Sequence, residues 1–387
     1  MADKNILYIG YYYKNDVIEQ RESAPYISQA GMNKMNFLRN VFEAAGYHTF
    51  IFSNAWTNSR SFRKYKGFWS KENPDVYYSD IFGAPVLNAI SCIRSGKRFI
   101  RTFMKTHTLD YVVFYNMRWE TSALACYIQK RYHVPIILEY EDGLETDLNN
   151  SKGKRRFYAR LEQKVKSRIN GAILVNSMLR EKFVCPSMIS RGGTIQQEGS
   201  MPCPAKTEPK KFLFASTLDD QRGLTVLLEA MEHLKADCKL LITGRGELED
   251  KLKEVKDERI EYLGYLSYED YCKVLKDADV CICAQRSKAS FGQVSFPSKI
   301  FEYMSAHKLV ITSDVADASA YLKDVALVYT EDDPKRLAAC MQMAIDIYDD
   351  KEKHDHYARQ IEDCIQENSV EATAKTFRDF VAEIDTI

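Results

Sequence analysis

No stretch of this chain approaches the roughly 20 consecutive apolar residues that a helix needs to cross a bilayer, so a soluble or peripheral protein is expected. A secretory leader is not expected either: Asp3 and Lys4 precede a short apolar run that reads as a strand. Net charge is absent, with 54 Lys+Arg against 54 Asp+Glu. Bulk nucleic-acid binding needs a basic surface to neutralise phosphates, so it is not expected. Metal-type cysteine pairs are lacking too. The ten cysteines are scattered from 92 to 364 without a CxxC spacing. Cys281 and Cys283 stand in an apolar run, on one face of a strand, and read as buried reduced thiols. The set suits a reducing cytosol.

What is present is size and alternation. With 387 residues and 45% hydrophobic content, the chain exceeds one ordinary domain and can fill two cores. In the first half, apolar runs predict strands at 6–11, 48–53, 111–115, 135–140 and 172–176. Helical patterns cover 32–45, 88–105, 121–132 and about 153–169, and 54–87 reads as irregular. Residues 185–210 carry turn and linker chemistry. The alternation then restarts, with strands at 211–215, 239–243, 260–262, 280–284 and 309–312. Its helices are expected at 223–233, 248–255, 268–277, 298–306 and 334–348. The pattern predicts an α/β chain of two Rossmann-like parallel-sheet domains, at 1–205 and 206–365, facing each other across a cleft. Such sheets bind ligands outside the carboxyl ends of their strands.

The densest chemistry lies after the strand at 280–284. Pro297 opens a helix, where its missing N–H costs nothing. Free N–H groups of a first turn suit a diphosphate, Lys299 adds charge, and Glu302, one turn on, can accept hydrogen bonds from two ribose hydroxyls. A buried helix with a solvated Lys and Glu is the plain alternative.

Residues 296–314 resemble the donor-site signature of family 4 ("group 1") glycosyltransferases of the GT-B fold, and polysaccharide-biosynthesis members in particular. Blocks at 212–228, 240–248, 260–266 and 275–284 are similar to that family in the right order, and 368–371 precedes a final helix as in its C-terminal return. Several ordered blocks make a far stronger signal than a lone Gly-x-Gly. The resemblance implies a C-terminal helix, 366–387, packing back on the first domain. It implies that Arg222 and Lys299 act on the donor diphosphate and that Ser298 and Glu302 belong to the grip, with Glu302 on the ribose. Gly244 and Gly246 would let backbone approach the nucleotide, and Tyr265 and Leu266 would lie against the base. Arg222 stands where the family usually has Lys, a tolerable change for a phosphate contact. A second family Glu is replaced by Val294, and backbone around Gly292 would then hold the sugar.

In the first domain Gly31 precedes a long helix, and Asn33 and Lys34 are candidate contacts beside it. Glu139, Glu141 and Asp142 end a strand; Asp142 could bind acceptor hydroxyls or assist proton removal. A helix cap is the alternative for Asp142. Asp277 and Asp279 form an Asp-x-Asp that reads as turn chemistry, and no metal is expected. His48, His133 and His307 read as surface or packing residues. Two basic segments, 88–105 and 152–168, could lie on an anionic membrane surface, or be ordinary solvated faces.

The implied function is a retaining, metal-independent, cofactor-free hexosyl-type glycosyltransferase. It would use a UDP-sugar on a glycan or lipid-linked acceptor in surface polysaccharide or glycolipid assembly, in the cytoplasm or peripherally at the inner membrane face. The alternatives are a degenerate nucleotide- or glycan-binding assembly partner and a GT-B sugar-nucleotide epimerase.

Overall fold

The first strand, β1 (Lys4–Gly10), is buried at every position after Lys4. A strand covered on both faces calls for parallel neighbours joined by crossover helices, and the computed structural model has that architecture. It describes residues 4–21, 29–56, 63–141, 151–194, 200–201, 209–287 and 296–386. They fall into two units: Met1–Arg191 with Val370–Ile387, and Gly192–Ser369.

The first unit adds β2 (Tyr47–Ser53), β3 (Lys64–Tyr65), β4 (Phe68–Trp69), β5 (Val76–Tyr78), β6 (Ile81–Phe82), β7 (Tyr111–Tyr115), β8 (Ile136–Tyr140), β9 (Gly171–Leu174) and β10 (Ser187–Ile189). Its helices are α1 (Asn15–Gln20), α2 (Gln29–Ala44), α3 (Pro85–Phe103), α4 (Trp119–Tyr132) and α5 (Lys152–Lys166). The main sheet runs β10-β9-β8-β7-β1-β2-β5-β4. Only the β4–β5 pair is antiparallel. The stretch 54–87, read as irregular, holds β3 to β6, of two or three residues each. Strands that short display no period. β10 hides in the same way inside the stretch read as linker, and pairs parallel with β9.

Two basic helices that look alike in sequence have different surroundings. Phe99, Ile100 and Phe103 of α3 are buried. Phe99 stacks on Tyr77 and Phe103 packs edge-on against Phe50, at 4.5 and 4.8 Å between ring centroids. These three apolar residues of the segment expected to face a membrane are thus core, while Leu87 is exposed. Gly96, a weak helix former, lies where α3 meets α4: a Cβ there would stand 2.6 Å from both Leu124 methyls. In α5, by contrast, only Glu162 and Val165 are buried.

The second unit holds β11 (Lys210–Ala215), β12 (Cys238–Thr243), β13 (Ile260–Tyr262), β14 (Val280–Cys283), β15 (Leu309–Ser313) and β16 (Leu327–Tyr329). Its helices are α6 (Leu224–His233), α7 (Glu249–Glu254), α8 (Tyr268–Asp277), α9 (Lys299–Ser305), α10 (Ala318–Leu322), α11 (Pro334–Asp349) and α12 (Lys351–Glu367). The sheet, β13-β12-β11-β14-β15-β16, is parallel throughout. Counted from β11 its order is the doubly wound 3-2-1-4-5-6. β16, α10 and α12 extend the pattern read from sequence.

The chain passes between units after Arg191 and again after Ser369, against the expected 205/206 and 365/366. Thr194 shows why the first passage comes early. Its N–H donates to the Asn368 carbonyl at 3.1 Å, and its hydroxyl to that of Ile365 at 2.6 Å. The final helix, α13 (Val370–Asp385), joins the first unit and buries Phe377, Phe380, Val381 and Ile384 there. Its Phe377 ring lies 4.7 Å from that of Phe42, and Asp385 accepts from the Tyr111 hydroxyl at 2.6 Å. Among the described residues no helix is long and apolar enough to cross a membrane.

Candidate functional site

In a 3-2-1-4-5-6 sheet the connections diverge between the first and fourth strands, here β11 and β14, and open a crevice at their carboxyl ends. Two loops meet there. Gly223, at φ +81°, precedes α6, and a Cβ on it would stand 1.8 Å from the Ala284 carbonyl oxygen. Only glycine allows this backbone-on-backbone approach. The neighbouring Arg222 is fixed at both ends. Its N–H donates to Asp219 at 2.7 Å, and its guanidinium to Gln285 Oε1, just past β14, at 3.0 Å. Arg286 pairs with Asp220 and clasps the same loops together.

Lys299, the first residue of α9, donates its ammonium to the Ala215 carbonyl at the end of β11. The same ammonium lies 5.4 Å from the Tyr271 ring centroid. Burial lowers its pKa, the Glu302 carboxylate and nearby thiols pull it back, and Arg222 adds to the lowering. Burial, with Glu302 beside it, also holds the Tyr271 hydroxyl un-ionised. Arg222, Lys299 and Glu302 therefore share one electrostatic neighbourhood over the crevice. Ser298 is half-buried and continues the helical backbone ahead of α9, which is shorter than the 298–306 expected.

Gly244 and Gly246 follow β12. Cβ atoms there would come within 1.9 Å of the Ser216 carbonyl oxygen and 2.4 Å of that of Leu218. The close approach they permit in this structure is to the loop after β11, tied by Leu218 N–H to the Arg245 carbonyl at 3.1 Å. Beyond Gly264, Tyr265 is 68% exposed, with the Arg245 guanidinium 4.6 Å from its ring centroid. Leu266 is half-buried beside it. Gln285 and Tyr271 join the site from positions that no motif marks.

Elsewhere the expectations fare differently. Gly292, Val294 and Asp142 lie outside the described residues. Gly31 lies within α2 rather than ahead of it. Lys34, expected to meet a ligand, is 5% exposed and pairs with Glu141 and, at 3.9 Å, with Glu139. Glu139 does not sit over an open edge: it is fully buried and accepts from the Tyr8 hydroxyl. Burial and the nearby Glu141 push it up to about 8, against the pull of Lys34 and Tyr8. Asp279 accepts from the Lys211 N–H at 2.8 Å and Asp277 binds the Lys211 ammonium at 2.9 Å, so the pair ties the end of α8 to β11 rather than serving its own turn. His133 caps α4 in the left-handed region, His307 is buried, and His48 pairs with Asp75.

Residues 209–346 match the family model of glycosyl transferases group 1. No curated protein matches the chain. Among solved structures, sucrose-phosphate synthase from Thermosynechococcus elongatus aligns at a TM-score of 0.69 and 13% identity, over 99% of this chain and 100% of that one. The apo form of the lipopolysaccharide outer core galactosyltransferase WaaB aligns at 0.66 and 16%, over 97% and 99%. Anabaena HepE in complex with UDP aligns at 0.66 and 12%, over 98% and 99%. The chain thus has the GT-B fold, and the match to the group 1 glycosyl transferase model lies wholly within its second unit, over 209–346.

Proposed function

We propose that this protein is a glycosyltransferase that moves a hexosyl unit from a UDP-sugar to a glycan or lipid-linked acceptor, with retained anomeric configuration. The observation that carries the reading is the convergence of Arg222 and Lys299 on the β11/β14 crevice inside the matched 209–346. Two fixed cations there would stabilise charge building on a departing diphosphate. Glu302 would take the ribose hydroxyls, since a carboxylate accepts from hydroxyls and repels phosphate. Ser298, Gly244, Gly246, Tyr265 and Leu266 complete the proposed nucleotide contacts, with Gly292 at the sugar and Gly31 and Asp142 on the acceptor side. The UDP seen with Anabaena HepE supports the choice of nucleotide.

In the proposed reaction the acceptor oxygen attacks the anomeric carbon from the leaving-group face. The bond from that carbon to the diphosphate breaks, and a diphosphate oxygen takes the acceptor's proton. The protein's share is positioning and charge stabilisation. No cofactor or metal is invoked.

We place the acceptor in surface polysaccharide or glycolipid assembly at the inner membrane face. In α5, Lys152, Lys154, Arg155, Arg156, Arg160, Lys164 and Lys166 face a single acid, Glu162, and Phe157 is 45% exposed. That combination suits an anionic lipid surface.

Calorimetric titration with UDP, followed by product analysis over a panel of UDP-sugars with lipid extract, tests the proposal. Tight UDP binding and glycosylated product are expected. Val294 favours one competitor, a binding module, and UDP binding without turnover would select it. An epimerised donor formed without acceptor would select the epimerase.

A further inference from the structure

The first unit has its own reversal point, between β1 and β7, and a polar assembly sits at the carboxyl ends there. Tyr11 follows β1, Asn54 follows β2, and after β7 Arg118 stands at the N-terminal cap of α4, with Trp119 and Glu120 in its first turn. The Tyr11 hydroxyl donates to Glu120 Oε1, and Asn54 Nδ2 donates to the same oxygen at 3.3 Å. Asn54 is itself anchored, its N–H on the Gly10 carbonyl at 3.0 Å. The Arg118 guanidinium lies 5.3 Å from the Tyr11 ring centroid.

Both donors use one oxygen of Glu120. The other, Oε2, makes no hydrogen bond or ion pair among the described residues, and the side chain is half-buried rather than sealed. The result is a carboxylate locked in place with one acceptor to spare. From α5, Tyr158 brings a hydroxyl within the electrostatic influence of Arg118 and Glu120. Trp119, also half-buried, adds aromatic surface.

We propose that Tyr11, Asn54, Arg118, Trp119, Glu120 and Tyr158 form a saccharide subsite, in which Glu120 Oε2 accepts hydroxyl hydrogens of a neutral sugar unit. The charge of Glu120 disfavours a phosphate or an acidic sugar. An apolar ligand would strip water from Glu120 Oε2 and return no hydrogen bond. A neutral pyranose meets both demands: its hydroxyls satisfy the polar atoms, and its C–H face packs on aromatic rings. The assignment rests on the glycosyltransferase reading, in which this sugar is the terminal unit of the acceptor.

The test is saturation-transfer NMR of the full chain with methyl glycosides of glucose, galactose, mannose and N-acetylglucosamine, alongside UDP titration. At least one glycoside should bind the wild type. Glu120→Gln keeps an oxygen for Tyr11 and Asn54 and replaces the spare acceptor with an NH2 donor, so it should weaken that glycoside about tenfold, ~1.4 kcal/mol, with UDP affinity and Tm unchanged. Tyr158→Phe, on a largely exposed helix, serves as a second variant with no folding risk and should weaken it severalfold. Absence of glycoside binding to the wild type, or equal affinity in both variants, overturns the subsite. Loss of UDP binding with glycoside binding intact instead overturns the glycosyltransferase reading.

Discussion

Lys299 and Glu302 stand one helical turn apart, and the lysine is already committed to the Ala215 carbonyl. Under the proposed function its contribution to a diphosphate would come from a fixed position, which spares reorganisation when charge develops. Glu302 is half-buried. Glu302→Ala should weaken UDP binding at least tenfold, ~1.4 kcal/mol, with little change in Tm; unchanged UDP affinity in calorimetry would remove the ribose assignment. Glu139 makes a different prediction. Its pKa rises from an ordinary 4.5 to about 8 in the fold. Between those values the unfolded chain has released the proton that the folded chain keeps, so unfolding releases protons and stability falls as pH rises through the window. Above about pH 8 the loss levels off. Glu139→Gln keeps a partner for Tyr8 without a titrating group, so its urea midpoint should fall less between pH 5 and 8 than that of the wild type.

At the scale of elements, α3 and α5 carry similar sequences into opposite surroundings. Phe103 of α3 is 4% exposed and packs on Phe50 and Phe99. Phe103→Ala should cost about 3–5 kcal/mol in urea unfolding, a loss that a membrane-facing residue would not show. For α5 the expectation is reversed. Replacing the exposed Lys154, Arg156 and Arg160 together by Glu should leave Tm nearly unchanged. Sedimentation with phosphatidylglycerol vesicles should fall at least tenfold at low salt. Equal sedimentation of variant and wild type would remove α5 as the docking surface.

At the scale of the whole molecule, the first unit is built from two separated stretches of chain. α13 closes its core with Phe377, Phe380, Val381 and Ile384, and Gly171 leaves room for Phe380 and Ile384, whose atoms would stand 2.6 Å from a Cβ there. Deleting 370–387 should unmask that core. Proteolysis should then begin in 4–191 while 209–346 persists as a resistant fragment. Equal resistance of both stretches would show that the first unit does not depend on α13.

Composition and alternation were enough to announce two α/β sheets, because a strand buried on both faces writes a continuous apolar run whatever its neighbours are. The family resemblance of 296–314 and its upstream blocks was likewise legible, since it rests on particular residue types at short spacing, and the family model spans the same stretch. Strand order, and with it the crevice between β11 and β14, was not, because it depends on pairings between segments such as Phe212 and Val280 that lie far apart in the chain. Nor could sequence say that Lys34 would spend its charge on Glu141 beside a buried Glu139, or that α3 would turn inward and α5 outward. Those outcomes follow from which faces the packed chain covers. A local pattern specifies that a face is apolar or charged, and only the tertiary contacts decide what meets it.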